Sequence, residues 1–181
     1  RAGGLGLAMI NRHARGVEIA VAAASCGFDA IYLDLEHTAL AEADAAQISI
    51  AALQCGITPL VRLPSHDAYG ACRVLDAGAL GVIVPHVETA EQAQAMVQAC
   101  RFAPLGRRSV AGSWPHLAYR QTAPDEARRL IDASTMVVVM LETPQAIAQA
   151  DAIAAVPGVD ILHVGSTDLC EAMDIPGRFD D

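Results

Sequence analysis

MVVVMLETPQAI, residues 136–147, contains the plainest structural pattern in this chain. Six apolar residues at 136–141 are typical of a parallel strand that is covered on both faces. Thr143 and Pro144 then match the residues preferred at the N-cap and first position of a helix. A buried strand that leads directly into a helix is the repeating unit of an α/β protein, and Glu142 lies at the junction.

The same alternation of strand and helix extends in both directions from this stretch. Predicted strands cover residues 5–10, 30–35, 58–62, 81–85, 136–141 and 161–164. Predicted helices cover residues 17–26, 41–55, 67–77, 90–101, 124–133 and 144–154. Gly27, Gly56 and Gly78 lie just past three of these helices, where glycine commonly ends a helix. Residues 102–121 have weak periodicity and are predicted to form a long functional loop with one short helix.

Two architectures fit six βα units, a doubly wound sheet and a (β/α)8 TIM barrel. A barrel typically needs about 250 residues, and this chain has 181. We interpret the chain as a single barrel domain over residues 1–181 that holds about the first six units and lacks the carboxyl-terminal ones. Residue 1 is Arg and no leader segment follows it, so we expect neither a signal peptide nor the native start. Because the carboxyl-terminal units of the barrel are missing, we also expect the native chain to continue beyond Asp181.

The composition excludes several classes of protein. Hydrophobic residues make up 53% and charged residues 18% of the chain, which excludes a disordered protein. The net charge of -9 argues against a nucleic-acid partner. The longest uncharged stretch, 45–61, is interrupted by polar residues, Gly and Pro, so no membrane-spanning helix is expected. Five cysteines without a C-x-x-C pair favour a reducing, cytoplasmic location.

Polar residues are concentrated after the predicted strands, where parallel α/β folds place their chemistry. They are Asp34, Glu36, His37, Arg62, His86, Glu142, Ser166, Thr167 and Asp168. Glu142 and Asp168 are the carboxylates at the ends of the last two strands. Two hard oxygen donors on rigid supports suit Mg²⁺ or Mn²⁺, with water or substrate completing the shell.

Six strings, in this order along the chain, together resemble the HpcH/HpaI aldolase family: GFDAIYLDLEH, VRLPSHD, VLDAGALGVIVPHV, RFAPLGRRS, VVVMLETPQAI and GVDILHVGSTDL. The resemblance covers almost the whole chain. It implies a class II pyruvate aldolase that depends on Mg²⁺, Mn²⁺ or Co²⁺. The implied reaction is reversible cleavage of a 4-hydroxy-2-oxo acid to an aldehyde and pyruvate or hydroxypyruvate. A homohexamer is also implied.

The resemblance assigns roles to individual residues. It implies that Glu142 and Asp168 bind the metal ion and that backbone amides around Ser166 and Thr167 hold the pyruvate carboxylate. Because the printed chain contains no lysine, no Schiff base can form on it, and a metal ion must take up the electrons released in the cleavage.

Three further residues are implied to act on the substrate. Arg62 contacts the keto-acid oxygens, and by charge counting it balances the substrate carboxylate. His37 serves acid–base chemistry, because histidine is the residue type suited to exchanging protons near neutral pH. Asp76 is implied to fix the tautomer of His37.

The chain departs from the family pattern at four positions. Met140 replaces a common Gln, and Ser166-Thr167 replaces the usual Pro-Ala before the metal-binding Asp. His86 replaces a common apolar residue, either as a wall of the pocket or as a ligand for the aldehyde. These changes leave the substrate open.

Two alternatives remain at this stage. The same metal site could serve an oxaloacetate decarboxylase or an acyl-CoA lyase, for which Arg107 and Arg108 are the only candidates to bind CoA phosphates. The chain could instead be a non-catalytic barrel that binds a partner. In that case Glu142 or Asp168 would not take part in catalysis.

Overall fold

A curled sheet of six parallel strands forms the centre of the computed structural model, which describes residues 4–179. The strands are β1 (Ala8–Asn11), β2 (Ala30–Asp34), β3 (Thr58–Arg62), β4 (Gly81–Val84), β5 (Met136–Leu141) and β6 (Ile161–Val164). Their order in the sheet is their order in the chain, and every neighbouring pair is parallel. A doubly wound sheet reverses its strand order, so this alternative is wrong. The six parallel strands support a partial barrel. The complete eight-stranded barrel stays a prediction.

Seven helices and one short 3-10 helix, at Pro115–Leu117, connect the described strands, and an eighth helix follows β6. The helices are α1 (Glu18–Ser25), α2 (Glu42–Cys55), α3 (Ala68–Asp76), α4 (Ala90–Cys100), α5 (Pro124–Ser134), α6 (Pro144–Ala148), α7 (Ala150–Ala154) and α8 (Ser166–Ala172). The 3-10 helix confirms the short helix expected in the loop at 102–121. The predicted glycine ends are also confirmed, since Gly27, Gly56 and Gly78 all have positive φ.

The structure corrects three of the predicted elements. The helix predicted at 144–154 is divided at Gln149, whose φ of -98° and ψ of 4° depart from helical values. Strand β1 begins at Ala8, because Leu5 and Leu7 are exposed and outside the ladder. No helix was predicted at α8, which is only seven residues long and too short to show a reliable period.

The two faces of the sheet have different roles. One face packs against the helices through residues such as Ile31, Val82 and Val139 in the main apolar core. The other face carries a smaller cluster that includes Tyr32 and Met140. Side chains alternate along a strand, so the positions two residues beyond this cluster point to the same side.

None of the described helices is both long enough and apolar enough to cross a membrane. The five cysteines, all within the described part of the chain, are free thiols.

Candidate active site

A cavity of about 350 Å³ opens at the carboxyl ends of the strands. Six of the seven predicted site residues line it: His37, Arg62, Glu142, Ser166, Thr167 and Asp168. Its floor comes from the inner face of the sheet and includes Tyr32 and Met140. Period-2 alternation explains this arrangement, since Glu142 follows Met140 by two residues at the end of β5.

Glu142 lies almost completely buried in the cavity wall, with 2% of its surface exposed. Its Oε2 accepts a hydrogen bond of 2.7 Å from the backbone N–H of His86. Its Oε1 is buried, and within residues 4–179 it has no hydrogen-bond partner. A Cβ at Gly165 would lie 2.5 Å from this Oε1, so glycine is needed to leave the space. Thr143, not Glu142, caps the next helix by accepting from the N–H of Ala146.

Negative charge is crowded around Glu142. Burial raises the pKa of Glu142, and the carboxylates of Asp168 and Glu36 add to the rise, although contacts with His86 oppose it. A cation between Glu142 and Asp168 would relieve this repulsion and satisfy the unpartnered Oε1. Among the described residues no cluster of three or more His, Cys, Asp or Glu is arranged to hold a metal ion. The two carboxylates therefore fit a hard dication that also binds water or substrate oxygens.

Arg62 is buried and held by two carboxylates. Its Nε and Nη2 donate to the two oxygens of Asp34 at 2.9 and 2.6 Å, and its Nη1 lies 2.9 Å from Oε2 of Glu36. The ring of Tyr32 lies 5.6 Å from the guanidinium carbon. Burial favours the neutral form of Asp34, but the hydrogen bonds from Arg62, the backbone N–H groups of His37 and Glu36 and the charge of Arg62 together hold the pKa of Asp34 below its ordinary value.

This pairing changes the charge balance that the sequence suggested. The count from the sequence omitted Asp34 and Glu36, which contact Arg62, and Arg12, which also contacts Asp34. That Arg62 balances the substrate carboxylate stays a prediction. A guanidinium has five N–H donors, and Arg62 uses two of them in hydrogen bonds to Asp34. Nη1 lies close to Oε2 of Glu36, but this oxygen accepts no hydrogen bond among the described residues. Donors of Arg62 that do not bond to Asp34 are available to oxygen atoms in the cavity.

His37 and Asp76, predicted to form a pair, have different neighbours in the described chain. The half-exposed ring of His37 lines the cavity, with Nε2 3.6 Å from Oε2 of Glu36. Asp76 is the last residue of α3, does not line the cavity, and accepts a 2.7 Å hydrogen bond from Nη2 of Arg108. The buried Arg108 needs a counter-charge, which explains this partner. The structure therefore does not bring Asp76 to His37.

Comparison with known proteins agrees with the geometry of this site. A model of the family described as HpcH/HpaI aldolase/citrate lyase matches residues 13–179. The chain belongs to this family. The resemblance seen in the sequence is thereby confirmed.

Several HpcH/HpaI relatives are similar over most of this chain. It is 46% identical to 4-hydroxy-4-methyl-2-oxoglutarate aldolase of Chaetomium globosum over 160 residues, which cover 87% of this chain and 60% of the relative. It is 35% identical to hydroxypyruvate/pyruvate aldolase of Sagittula stellata, covering 89% of this chain and 63% of the relative. The chain thus spans about 60% of the length of such relatives.

A solved structure confirms the fold. The HpcH/HpaI aldolase of Desulfitobacterium hafniense superposes with a TM-score of 0.94 at 28% identity, covering 99% of this chain and 69% of that one.

Sequence reasoning missed the roles of three charged residues in this HpcH/HpaI site. Glu36 and His86 were noted after their strands, but their contacts with Arg62 and Glu142 were not foreseen. Arg12 was not noted, although it follows β1 by one residue and the rule that polar residues gather at strand ends would have found it. Its half-exposed side chain lines the cavity.

His163 is another residue of the cavity wall that the sequence did not indicate. It lies on β6, two residues before Gly165, and its ring packs edge-on against Tyr32 with centroids 6.4 Å apart. Burial lowers the pKa of His163, and the positive charge of Arg62 adds to the effect. A neutral imidazole therefore lines the cavity.

Proposed function

We propose that this chain carries the active site of a class II aldolase, a carbon–carbon lyase. It cleaves 4-hydroxy-2-oxo acids reversibly to pyruvate or hydroxypyruvate and a second carbonyl compound. The observation that carries the proposal is the unpartnered Oε1 of Glu142, which faces a cavity shared with Asp168 and Arg62. Membership of the HpcH/HpaI family supports the same reaction class.

Glu142 and Asp168 are the residues that would hold a divalent cation, Mg²⁺, Mn²⁺ or Co²⁺. Such an ion, when bound, supplies the Lewis acid that stabilises the enolate charge released in the cleavage. No lysine is present in the chain to take that role. The two carboxylate charges match the two charges of the ion.

The keto acid is positioned by donors on two sides of the cavity. Ser166 and Thr167 begin α8, where backbone N–H groups have no acceptor within the helix, and both residues line the cavity. These N–H groups hold the substrate carboxylate. Arg62, which lines the same cavity, donates to the keto oxygen and stabilises the charge that develops there.

His37 moves the proton. In the cleavage direction it accepts the proton of the C4 hydroxyl as the C3–C4 bond breaks and the electron pair passes to the enolate. The enolate is then protonated at C3 to give the pyruvate product. The half-exposed ring of His37 at the cavity suits this exchange, directly or through a water molecule.

Arg12 favours a substrate with a second carboxylate. Its Nε lies 3.1 Å from Oδ2 of Asp34, and within residues 4–179 the structure records no partner for its terminal nitrogens. Among the relatives, 4-hydroxy-4-methyl-2-oxoglutarate aldolase is named for a dicarboxylate and 4-hydroxy-2-oxovalerate aldolase for a monocarboxylate. The terminal nitrogens of Arg12 on the cavity wall fit the second carboxylate of the dicarboxylate, whose cleavage gives two molecules of pyruvate.

The alternatives fit the structure less well. Arg108 is buried against Asp76 and Arg107 donates to Gln98, so neither forms a basic groove for CoA phosphates. A binding protein without catalysis gives no reason for the unpartnered Oε1 of Glu142. An oxaloacetate decarboxylase would use the same site and remains the second candidate. A homohexamer and a cytoplasmic location stay predictions.

The test is aldol cleavage by the purified protein, followed as pyruvate release. With Mn²⁺ we expect pyruvate from 4-hydroxy-4-methyl-2-oxoglutarate, loss of the activity in EDTA, and recovery when Mn²⁺ is restored. Glu142→Gln keeps the size of the side chain and should remove the activity. If oxaloacetate is consumed and no hydroxy-oxo acid is cleaved, the decarboxylase replaces the aldolase.

A further inference from the structure

His86 has an unusual backbone conformation beside the cavity. It follows β4 and Pro85, and its φ is 54°. A residue with a side chain rarely adopts this left-handed region unless its surroundings hold it there, and such residues cluster at functional sites. The contacts of His86 show what this conformation achieves.

Three contacts join His86 to two carboxylates. Its backbone N–H donates to Oε2 of Glu142 at 2.7 Å, and its ring Nδ1 lies 3.1 Å from the same oxygen. Its ring Nε2 lies 3.0 Å from Oε1 of Glu36. The left-handed backbone is what allows the N–H and the ring to approach one carboxylate together.

These contacts give the two carboxylate oxygens of Glu142 different surroundings. Oε2 is occupied by His86, and Oε1 is left buried without a partner among the described residues. Glu36 in turn contacts Arg62, so the network joins the ends of β2, β3, β4 and β5. A carboxylate fixed in this way cannot rotate to exchange its oxygens.

His86 acts on Glu142 and not on the substrate. Its side chain is half-exposed, but it is not among the residues that line the cavity. Neither role considered from the sequence, a pocket wall or a ligand for the aldehyde, matches this position.

We infer that His86 is a positioning residue that makes Glu142 a one-oxygen ligand, through Oε1, and so sets the affinity of the cation site. The inference rests on the proposed metal site. Residues that orient a metal ligand typically contribute 10- to 100-fold to metal affinity.

The test uses His86→Asn and Mn²⁺ binding measured by calorimetry without substrate. Asparagine tolerates the left-handed conformation and keeps the backbone N–H, so the variant removes the ring alone. We expect the Kd for Mn²⁺ to rise about 10-fold. At saturating Mn²⁺ the KM for the substrate should stay within about twofold, because His86 does not line the cavity.

His13→Asn is the matched control, since His13 is exposed and makes no ion pair with either carboxylate. It should leave the Kd unchanged. Circular dichroism checks that each variant is folded, and His86→Gln provides a second ring-free variant if His86→Asn does not fold.

The outcomes separate this inference from the proposed function. If the wild-type protein binds no divalent cation, both are overturned. If the wild-type protein binds Mn²⁺ and cleaves substrate while a folded ring-free variant binds Mn²⁺ as tightly, the inference about His86 alone is overturned.

Discussion

Two arginines in this molecule are buried beside aromatic rings and paired with a carboxylate, and only one faces the active site. Arg62 lies by Tyr32 and is paired with Asp34 at the end of β3. Arg108 lies 4.8 Å from the ring centroid of Phe102 in the loop at 102–121, and its partner is Asp76. The residue types are therefore the same in both regions.

The difference between the regions is access to a cavity. Arg62 lines the cavity at the strand ends together with Glu142 and Asp168. Arg108 is enclosed between Phe102 and Trp114, which pack with residues of α5, and its Nε and Nη1 have no hydrogen-bond partner among the described residues. Of these two buried ion pairs, only the one that adjoins a cavity can present its donors to a substrate.

The largest effect is expected from Arg62→Lys. Lysine keeps the charge but loses the fork that fits Asp34 and the donors directed at the keto oxygen. Losing one such donor typically lowers turnover 10²- to 10³-fold, so we expect kcat to fall by about that factor. Arg108→Lys is the matched control and should retain kcat within a few-fold. Equal losses in both variants would remove the distinction between the two regions.

The next effect is expected from His37→Ala. Removing the group that exchanges the proton should lower kcat about 100-fold, at the low end of general acid–base catalysis. The Kd for Mn²⁺ should stay within twofold, because His37 contacts neither Glu142 nor Asp168. Retention of the full cleavage rate would remove His37 from the mechanism.

Arg108→Lys and Asp76→Asn should affect stability more than catalysis. Breaking a fully buried ion pair costs about 3–5 kcal/mol, and the partial exposure of Asp76 lowers this figure to about 2–3 kcal/mol. Denaturant unfolding measures the loss. If Asp76→Asn instead lowers kcat at unchanged stability, Asp76 supports His37 in the assembled protein, as the sequence predicted.

The smallest effect is expected from Arg12→Gln. A charge-assisted hydrogen bond contributes about 1.5 kcal/mol, so kcat/KM for the dicarboxylate 4-hydroxy-4-methyl-2-oxoglutarate should fall about 10-fold. The kcat/KM for the monocarboxylate 4-hydroxy-2-oxovalerate should not change. Arg15→Gln, at an exposed arginine outside the cavity, is the control. Parallel losses on both substrates would contradict the role given to Arg12.

The sequence was sufficient to predict local structure and the location of the site. Apolar runs such as 136–141 and the cap at Thr143 depend on neighbouring residues only, so the strands and most helix ends followed from them. Glu142 and Asp168 could be placed together because the carboxyl ends of parallel strands meet at one edge of a sheet.

What the sequence could not predict depends on contacts between distant residues. Asp76 and Arg108 are 32 positions apart, and no period in the sequence relates them. The contacts of His86 with Glu36 and Glu142 need a left-handed backbone that no residue type signals at this position. The contacts of His86 are tertiary, whereas the residues proposed to contact the substrate follow from the strand ends.

Mn²⁺ titration of the wild-type protein, Glu142→Gln and Asp168→Asn, followed by calorimetry, tests the central claim most directly. The account predicts one Mn²⁺ per chain in the wild type and at least a 100-fold weaker Kd in each folded variant, since each loses one of two charged ligands. Binding of equal strength in all three proteins would contradict it, because the cation would then lie elsewhere.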